Sequence, residues 1–283
     1  MPQHQPSQAE IEDWLRLQEE PLAPFDPGFL SSHNEREWVL PTLSYFHRKR
    51  LITDIVGSLK PGKEATVYCC RAHPATDLDL VAAKIYRPRV FRTLKNDGHY
   101  RQHRHQNRDR RRQRAIQGNT NKGRAFQVQD WIGYEFQTHT LAHQAGLDVP
   151  IPLAQKDHAV LMEFIGTPQQ AAPQLHQVDI AANEADKLFK RLLRNVELLL
   201  SCHRVHGDLS AYNILYFQGK IWVIDLAQAV DARHGAQALA LLRRDIQRLC
   251  DFFQPRGIDA DAWALSRDLW QRYQRGRLRH HRS

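Results

Sequence analysis

From residue 51 onward the apolar positions fall into short, β-branched runs, LITDIVGSL (51–59), ATVYCC (65–70) and VAAKIY (81–86), parted by turn-forming residues. That pattern predicts three antiparallel strands forming a small sheet. Ahead of them Ser7 and Glu10 stand at capping-box spacing, with Ile11, Trp14, Leu15 and Leu17 following before Pro21, which predicts an accessory helix over residues 7–20. A proline-containing linker, EEPLAPFDPGF, separates the two. Farther along, Trp131, Tyr134, Thr138, Leu141 and Ala145 recur at steps of three and four, with Gly146 and Pro150 placed to end the run. A helix lying on the sheet is expected there. VLMEFIG (160–166) reads as another strand, and Leu188, Leu192, Val196, Leu199 and Leu200 mark a long amphipathic helix running up to His203. The remainder reads as mainly helical, interrupted by a hairpin of ILYF, Gln218-Gly219 and IWVIDL, and no internal repeat is visible. Strands first and helices afterwards is the signature of an α+β fold.

A chain of 283 residues that is 42% hydrophobic and 25% charged can bury a core, as one large domain or two small lobes, which excludes wholesale disorder and a fibrous repeat. No run approaches the ~18 apolar residues of a spanning helix, and MPQHQPSQAEIEDW lacks the apolar stretch of a signal peptide, so a cytoplasmic protein with no membrane contact is expected. Cys69, Cys70, Cys202 and Cys250 show no C-x-x-C spacing, and reduced thiols are expected.

Charge is concentrated. Between Arg87 and Arg124 thirteen Lys or Arg face only Asp97 and Asp109, so this stretch holds more than the whole net charge of +9. It has almost no apolar periodicity and reads as a mobile basic insertion (87–124). The tail (271–283) adds five arginines and no acid. Both segments suit a phosphate-rich partner such as RNA or a ribosomal particle through counterion release, although no aromatic-interleaved stacking pattern accompanies the arginines and a solvated basic surface is the alternative.

The most specific segment is VHGDLSAYNILYFQGKIWVIDL (205–226). Asp208, Asn213 five residues later, and Asp225 at the end of an apolar strand form the H-x-D-x-x-x-x-N plus Asp arrangement of kinase-like phosphotransferases. Phosphoryl transfer needs a carboxylate to accept the incoming hydroxyl's proton, which suits Asp208, and hard oxygen ligands for magnesium, which suits Asn213 and Asp225. Lys84 ends a predicted strand, where a lysine can reach nucleotide phosphates, and Glu135 sits on the helix expected to face it. GSLKPGKEATVY superficially fits a P-loop, but Glu64 follows the lysine and a strand follows that, so the better reading is a strand-turn-strand flap. There Gly62 and its neighbours approach phosphate, with Lys63 and Glu64 counted among the nucleotide-binding residues. His139 and His143 share a helical face without a glutamate or third ligand, and no zinc is assigned.

These residues resemble the RIO family of atypical protein kinases, most closely its type-one branch. The resemblance rests on Gly62-Lys63-Glu64-Ala65 with Val67-Tyr68, Ala83-Lys84-Ile85-Tyr86, Trp131 four residues before Glu135, and Met162 to Gly166. It continues through His206 to Ser210 with Tyr212-Asn213, and Ile224-Asp225 with Gln228 and Val230. It implies a two-lobed protein-kinase-like fold with a sheet-based N-lobe (about 45–165) and a mainly helical, truncated C-lobe (about 166–270), preceded by a helical extension (1–44). It also implies ATP and Mg2+ as cofactors, Ser/Thr phosphorylation of a protein or of itself, and work near ribosome precursors. Glu163 to Ile165 would form the hinge that meets adenine, and Asp225 could serve as a transient phosphoacceptor if the site is used as an ATPase.

Two departures stand out: Gly207 where the family suggests alanine, and Leu226-Ala227 where an ordinary kinase has Phe-Gly. No A-P-E follows Asp225, which argues against a conventional peptide-docking subdomain. Two other readings stay open: a small-molecule phosphotransferase of the aminoglycoside or choline type, and an RNA- or ribosome-binding scaffold that uses nucleotide as a switch.

Overall fold

The computed structural model describes residues 25–28, 33–59, 65–87 and 121–278, apart from the side chains of 33–35, 121–122 and 124–125. The expected helix over 7–20, Gly62, Lys63 and Glu64 of the flap, residues 88–120 of the basic insertion and the end of the tail lie outside the described residues.

The three expected strands are present as β1 (Ile52–Ser58), β2 (Ala65–Ala72) and β3 (Leu80–Tyr86), and the sheet is completed by β4 (Pro152–Lys156) and β5 (Ala159–Glu163) in the order β1-β2-β3-β5-β4, all antiparallel. PLAQK carries no strand signal of its own. It is a strand because the tight turn at Asp157, with φ of 49°, returns the chain beside β5 and supplies a hydrogen-bonded partner.

Alternation in β3 sorts its side chains onto two faces. Val81, Ala83 and Ile85 point to the rear, where they join Tyr68, Cys70 and Leu161 under α1 (His33–Arg48). Ala82, Lys84 and Tyr86 point to the front, toward α2 (Asn121–Gln144) and the cleft between lobes. With both faces covered, VAAKIY is a nearly continuous apolar run interrupted by one lysine.

Helix α1 falls largely within the helical extension expected over 1–44, but outside the 7–20 stretch in which the sequence pattern places a helix. It runs through Pro41 and buries Val39, Leu43 and Phe46 against the sheet, each contributing on the order of 2 kcal/mol. The domain boundary expected at 44/45 therefore falls inside a helix that belongs to the N-lobe core. Helix α2 likewise begins earlier than expected: residues 121–124, assigned to the insertion, are its first turn, because Val128, Trp131 and Ile132 carry the buried stripe toward the N-terminus. Its end matches expectation, with Gly146 at φ 80° and its N–H bonded to the His143 carbonyl.

The C-lobe is built on α3 (Ala182–Ser201), α4 (Ala236–Phe253) and α5 (Ala262–Gln274), whose apolar faces share one core with Val205, Ile214, Ile221 and Val223. Two small sheets sit on it: β6 (Arg204–Val205) paired with β9 (Val230–Asp231), and the expected hairpin β7 (Ile214–Phe217) with β8 (Lys220–Val223), which turns at Gln218 and Gly219, both at positive φ. Asp148 ties the lobes: it accepts from Arg191 and Asn195 of α3, while its carbonyl accepts from Val223 of β8. All four cysteines are free thiols, and burial pushes Cys69 up to about 11.

Candidate functional site

The β7–β8 ladder continues one residue beyond its strands, where the Ile224 N–H bonds to the Asn213 carbonyl at 3.0 Å. That bond sets Asn213, entering the hairpin, beside Asp225, leaving it. Asp225 has φ 64° and ψ 63°, a left-handed conformation that costs most residues about 1 kcal/mol and that Asp tolerates better than most. The turn swings its carboxylate back toward the N-lobe, where Oδ1 meets Lys84 Nζ at 2.8 Å.

Lys84 is held from two sides. Its Nζ also donates to Glu135 Oε1 of α2 at 2.8 Å, and the other Glu135 oxygen accepts from the Tyr86 hydroxyl. Glu135 is only 4% exposed and faces the sheet as expected. Burial by itself would depress the Lys84 ammonium; the facing charges of Asp225 and Glu135 outweigh it, and its pKa stands well above the usual lysine value. The Asp225 carboxyl is held below its ordinary value, chiefly by the Lys84 charge. A further contact fixes the helix: Trp131 Nε1 donates to the Ala227 carbonyl at 3.0 Å.

Asp208 lies across the cleft, on the loop between β6 and β7. Asn213 Nδ2 donates to its carbonyl at 2.9 Å and its Oδ2 at 3.3 Å, and Arg248 of α4 reaches its Oδ1 at 2.7 Å. The loop is held from below. His206, 2% exposed, faces the Ile224 carbonyl with Nε2 and the Asp208 N–H with Nδ1, so its partners select the Nε2–H tautomer. Asp245 of α4 accepts from the N–H groups of Gly207 and Leu209, and burial raises its pKa above the usual carboxylate value. Gly207 has φ +77°, and a Cβ there would lie 2.6 Å from the Gln228 carbonyl oxygen, so glycine in place of the family's alanine is what this backbone requires.

Lys84, Glu135, Asp208, Asn213 and Asp225 border one cleft of about 630 Å³ between the lobes, large enough for a nucleotide. Ala65, Val67 and Ala82 line its roof and Met162 to Ile165 its rear wall. Glu163 is fixed by exchange with Ile151, its N–H donating to that carbonyl at 2.8 Å and its Oε2 accepting that N–H at 3.1 Å.

The donor set suits a hard cation. Asn213 directs both Nδ2 bonds to Asp208, which leaves Oδ1 to accept, and Asp225 keeps Oδ2 beyond the lysine. Two oxygens beside a cleft match a magnesium ion shared with phosphates and water rather than an all-protein cage. No cluster of three His, Cys, Asp or Glu stands ready for a metal among the described residues. His139 is buried, its Nε2 bonded to the Pro150 carbonyl at 2.6 Å, and burial lowers its pKa to about 4; His143 is exposed.

The cleft thus gathers Lys84, Glu135, Glu163, Ile165, Asp208, Asn213 and Asp225. Residues that the motif reading missed are Asp245, Arg244, which donates to the Gly207 carbonyl, and Arg248. Asp245 had a signal: it is a charge in phase with Leu241, Leu242 and Leu249 on the buried stripe of α4.

A family model described as the RIO domain matches residues 66–265. The serine/threonine-protein kinase rio1 of Schizosaccharomyces pombe is 34% identical over 212 residues, 72% of this chain and 39% of that protein. The RIO-type serine/threonine-protein kinase Rio1 of Haloferax volcanii is 34% identical over 220 residues, 74% of this chain and 66% of that protein. The match thus spans about 40% of the length of the yeast relative. Among solved structures, the Rio2 kinase ADP/Mg2+-phosphoaspartate complex from Chaetomium thermophilum aligns with a TM-score of 0.59 at 20% identity, covering 83% of this chain and 66% of that one.

Proposed function

The chain belongs to the RIO family, on its type-one branch, and from that premise we propose that it is an ATP- and magnesium-dependent serine/threonine protein kinase acting on a protein hydroxyl or on itself. The observation that carries this reading is Lys84, held at 2.8 Å by both Glu135 and Asp225 in a nucleotide-sized cleft whose opposite wall presents Asp208 and Asn213. Each residue then has one task. Lys84 binds nucleotide phosphate and Glu135 holds it in place. Asn213 and Asp225 hold magnesium, which when bound supplies charge neutralisation for the phosphates. Asp208 accepts the proton of the incoming hydroxyl. Backbone groups of Glu163 to Ile165 meet the base, and Lys63 and Glu64 are assigned to nucleotide binding on the sequence motif alone.

A second reading uses the same site as an ATPase. Asp225, turned into the cleft by its left-handed backbone, attacks the γ-phosphorus, ADP leaves, and water later releases the phosphate. A phosphoaspartate is present in the structurally similar Rio2 complex. For partners, the charge of the 87–124 segment supports contact with RNA or a ribosomal particle.

The test is incubation with γ-labelled ATP and magnesium, wild type beside Asp208→Ala, following label on protein and free phosphate. Acid-stable label that the variant lacks, with nucleotide affinity retained, is the expected result. Label that is acid-labile and lost in Asp225→Asn, with free phosphate accumulating, selects the ATPase reading; neither signal in wild type overturns both.

A further inference from the structure

Helix α4 sends two arginines, one turn apart, to the catalytic loop. Arg244 donates to the Gly207 carbonyl, a backbone contact that holds the loop. Arg248 reaches the carboxylate of Asp208 itself, Nη1 to Oδ1 at 2.7 Å, and is 38% exposed beside a partner 47% exposed. The two contacts differ in kind: one braces the loop, and the other occupies the oxygen to which an acceptor hydroxyl would bring its proton. With Oδ2 bonded to Asn213, both Asp208 oxygens are engaged before any acceptor arrives.

An acceptor that approaches Asp208 must therefore come to rest beside a guanidinium fixed to a rigid helix, since Ile246 and Leu249 on either side of Arg248 are fully buried. A guanidinium has five donors in a planar fork and pairs best with a carboxylate. An acceptor that brings its own carboxylate gives Arg248 a second partner and loosens its hold on Oδ1, whereas a neutral acceptor gains no such contact and a cationic one is repelled.

We propose that Arg248 is a specificity-determining residue for the acceptor, and that the hydroxyl taken by this site lies in an acidic stretch of polypeptide. The inference rests on the kinase reading above. In the step it assists, the acceptor O–H gives its proton to Asp208, its oxygen forms the bond to the γ-phosphorus, and the bond from that phosphorus to the ADP oxygen breaks with its electrons leaving on ADP. Arg248 takes no proton; it pairs with the acceptor's carboxylate while Asp208 turns to the hydroxyl.

The experiment compares three serine-containing peptides of equal length, with acidic, neutral and basic flanks, against wild type, Arg248→Ala and Arg248→Glu. Stabilisation of each variant by ADP and magnesium checks that the fold and nucleotide site are intact. Wild type is expected to favour the acidic peptide about tenfold in kcat/KM, the size of one charge-assisted contact. Arg248→Ala should flatten the preference and Arg248→Glu should move it to the basic peptide, a reversal that a merely structural arginine would not produce. Equal use of the three peptides by wild type, or an acidic preference that survives in both variants, overturns the inference and leaves the kinase reading standing. No transfer to any peptide and no acid-stable label on the protein itself, with ATP hydrolysed to free phosphate, overturns the kinase reading and the inference with it.

Discussion

Trp131 donates its indole N–H to the carbonyl of Ala227 at 3.0 Å, two residues beyond Asp225, so the helix that carries Glu135 is bonded directly to the segment that carries the aspartate proposed to hold magnesium. The Lys84 bridge spans the same two elements from the other side. Helix α2, strand β3 and the segment after β8 thus form one closed circuit around the cleft. Trp131→Phe keeps the ring and removes the donor, leaving a carbonyl unpaired. It is expected to cost about 1–3 kcal/mol in chemical denaturation and to lower turnover several-fold, measured as ATP consumption at saturating nucleotide.

Lys84→Met tests the same circuit electrostatically. It leaves Glu135, 4% exposed, facing Asp225 with no cation between them, and should cost about 3–5 kcal/mol in the nucleotide-free protein. Adding Glu135→Gln removes the uncompensated charge, so the double variant should be more stable than Lys84→Met alone. Urea melts of the four proteins in the cycle would show this non-additivity.

Gly207→Ala should be far more damaging than alanine at another positive-φ glycine. At Gly207 a Cβ meets the Gln228 carbonyl at 2.6 Å, while at Gly219, φ +76°, it meets open space. The first change is expected to cost about 3 kcal/mol and to reduce turnover by displacing Asp208, and the second about 1 kcal/mol with turnover retained. Thermal melts and ATP turnover of the two variants side by side separate these outcomes.

Stability should fall as pH drops from about 6.5 toward 4, through His139. Its folded pKa is lowered to about 4 from 6.5 by burial, so between those values the unfolded chain binds a proton that the folded one refuses. Stability is complete above the unfolded pKa and declines as pH falls toward the folded one, by at most about 3 kcal/mol. His139→Gln, whose amide can still donate to the Pro150 carbonyl, should flatten the dependence. Urea melts at pH 7.5 and pH 5 would check it.

The local parts of this protein were legible in its sequence. The strands around Lys84, the end of α2 at Gly146 and the turn at Gln218-Gly219 follow from periodicity and from residues suited to positive φ, properties that depend on near neighbours along the chain. The Asp208, Asn213 and Asp225 set was also legible, because one loop and one hairpin bring the three together over eighteen positions. Elements without a local signature were not: β4 is a strand only by virtue of β5, and α1 is a helix despite Pro41 because the sheet's rear face needs covering.

Composition and spacing alone determined an α+β chain with a phosphotransfer motif and a concentrated basic segment. Tertiary structure decided which charges meet. The pairing of Lys84 with Glu135, 51 residues away, was expected from a helix facing the sheet, but the second pairing of Lys84 with Asp225, across 141 residues, and that of Arg248 with Asp208, across 40, were not. The physical reason is that contacts between residues far apart in the chain are set by how buried faces stack, Val128 and Ile132 of α2 on the sheet and Leu241 and Ile246 of α4 in the C-lobe core. A side chain's electrostatic partner is then whichever group that stacking delivers within 3 Å, and no sequence interval encodes it.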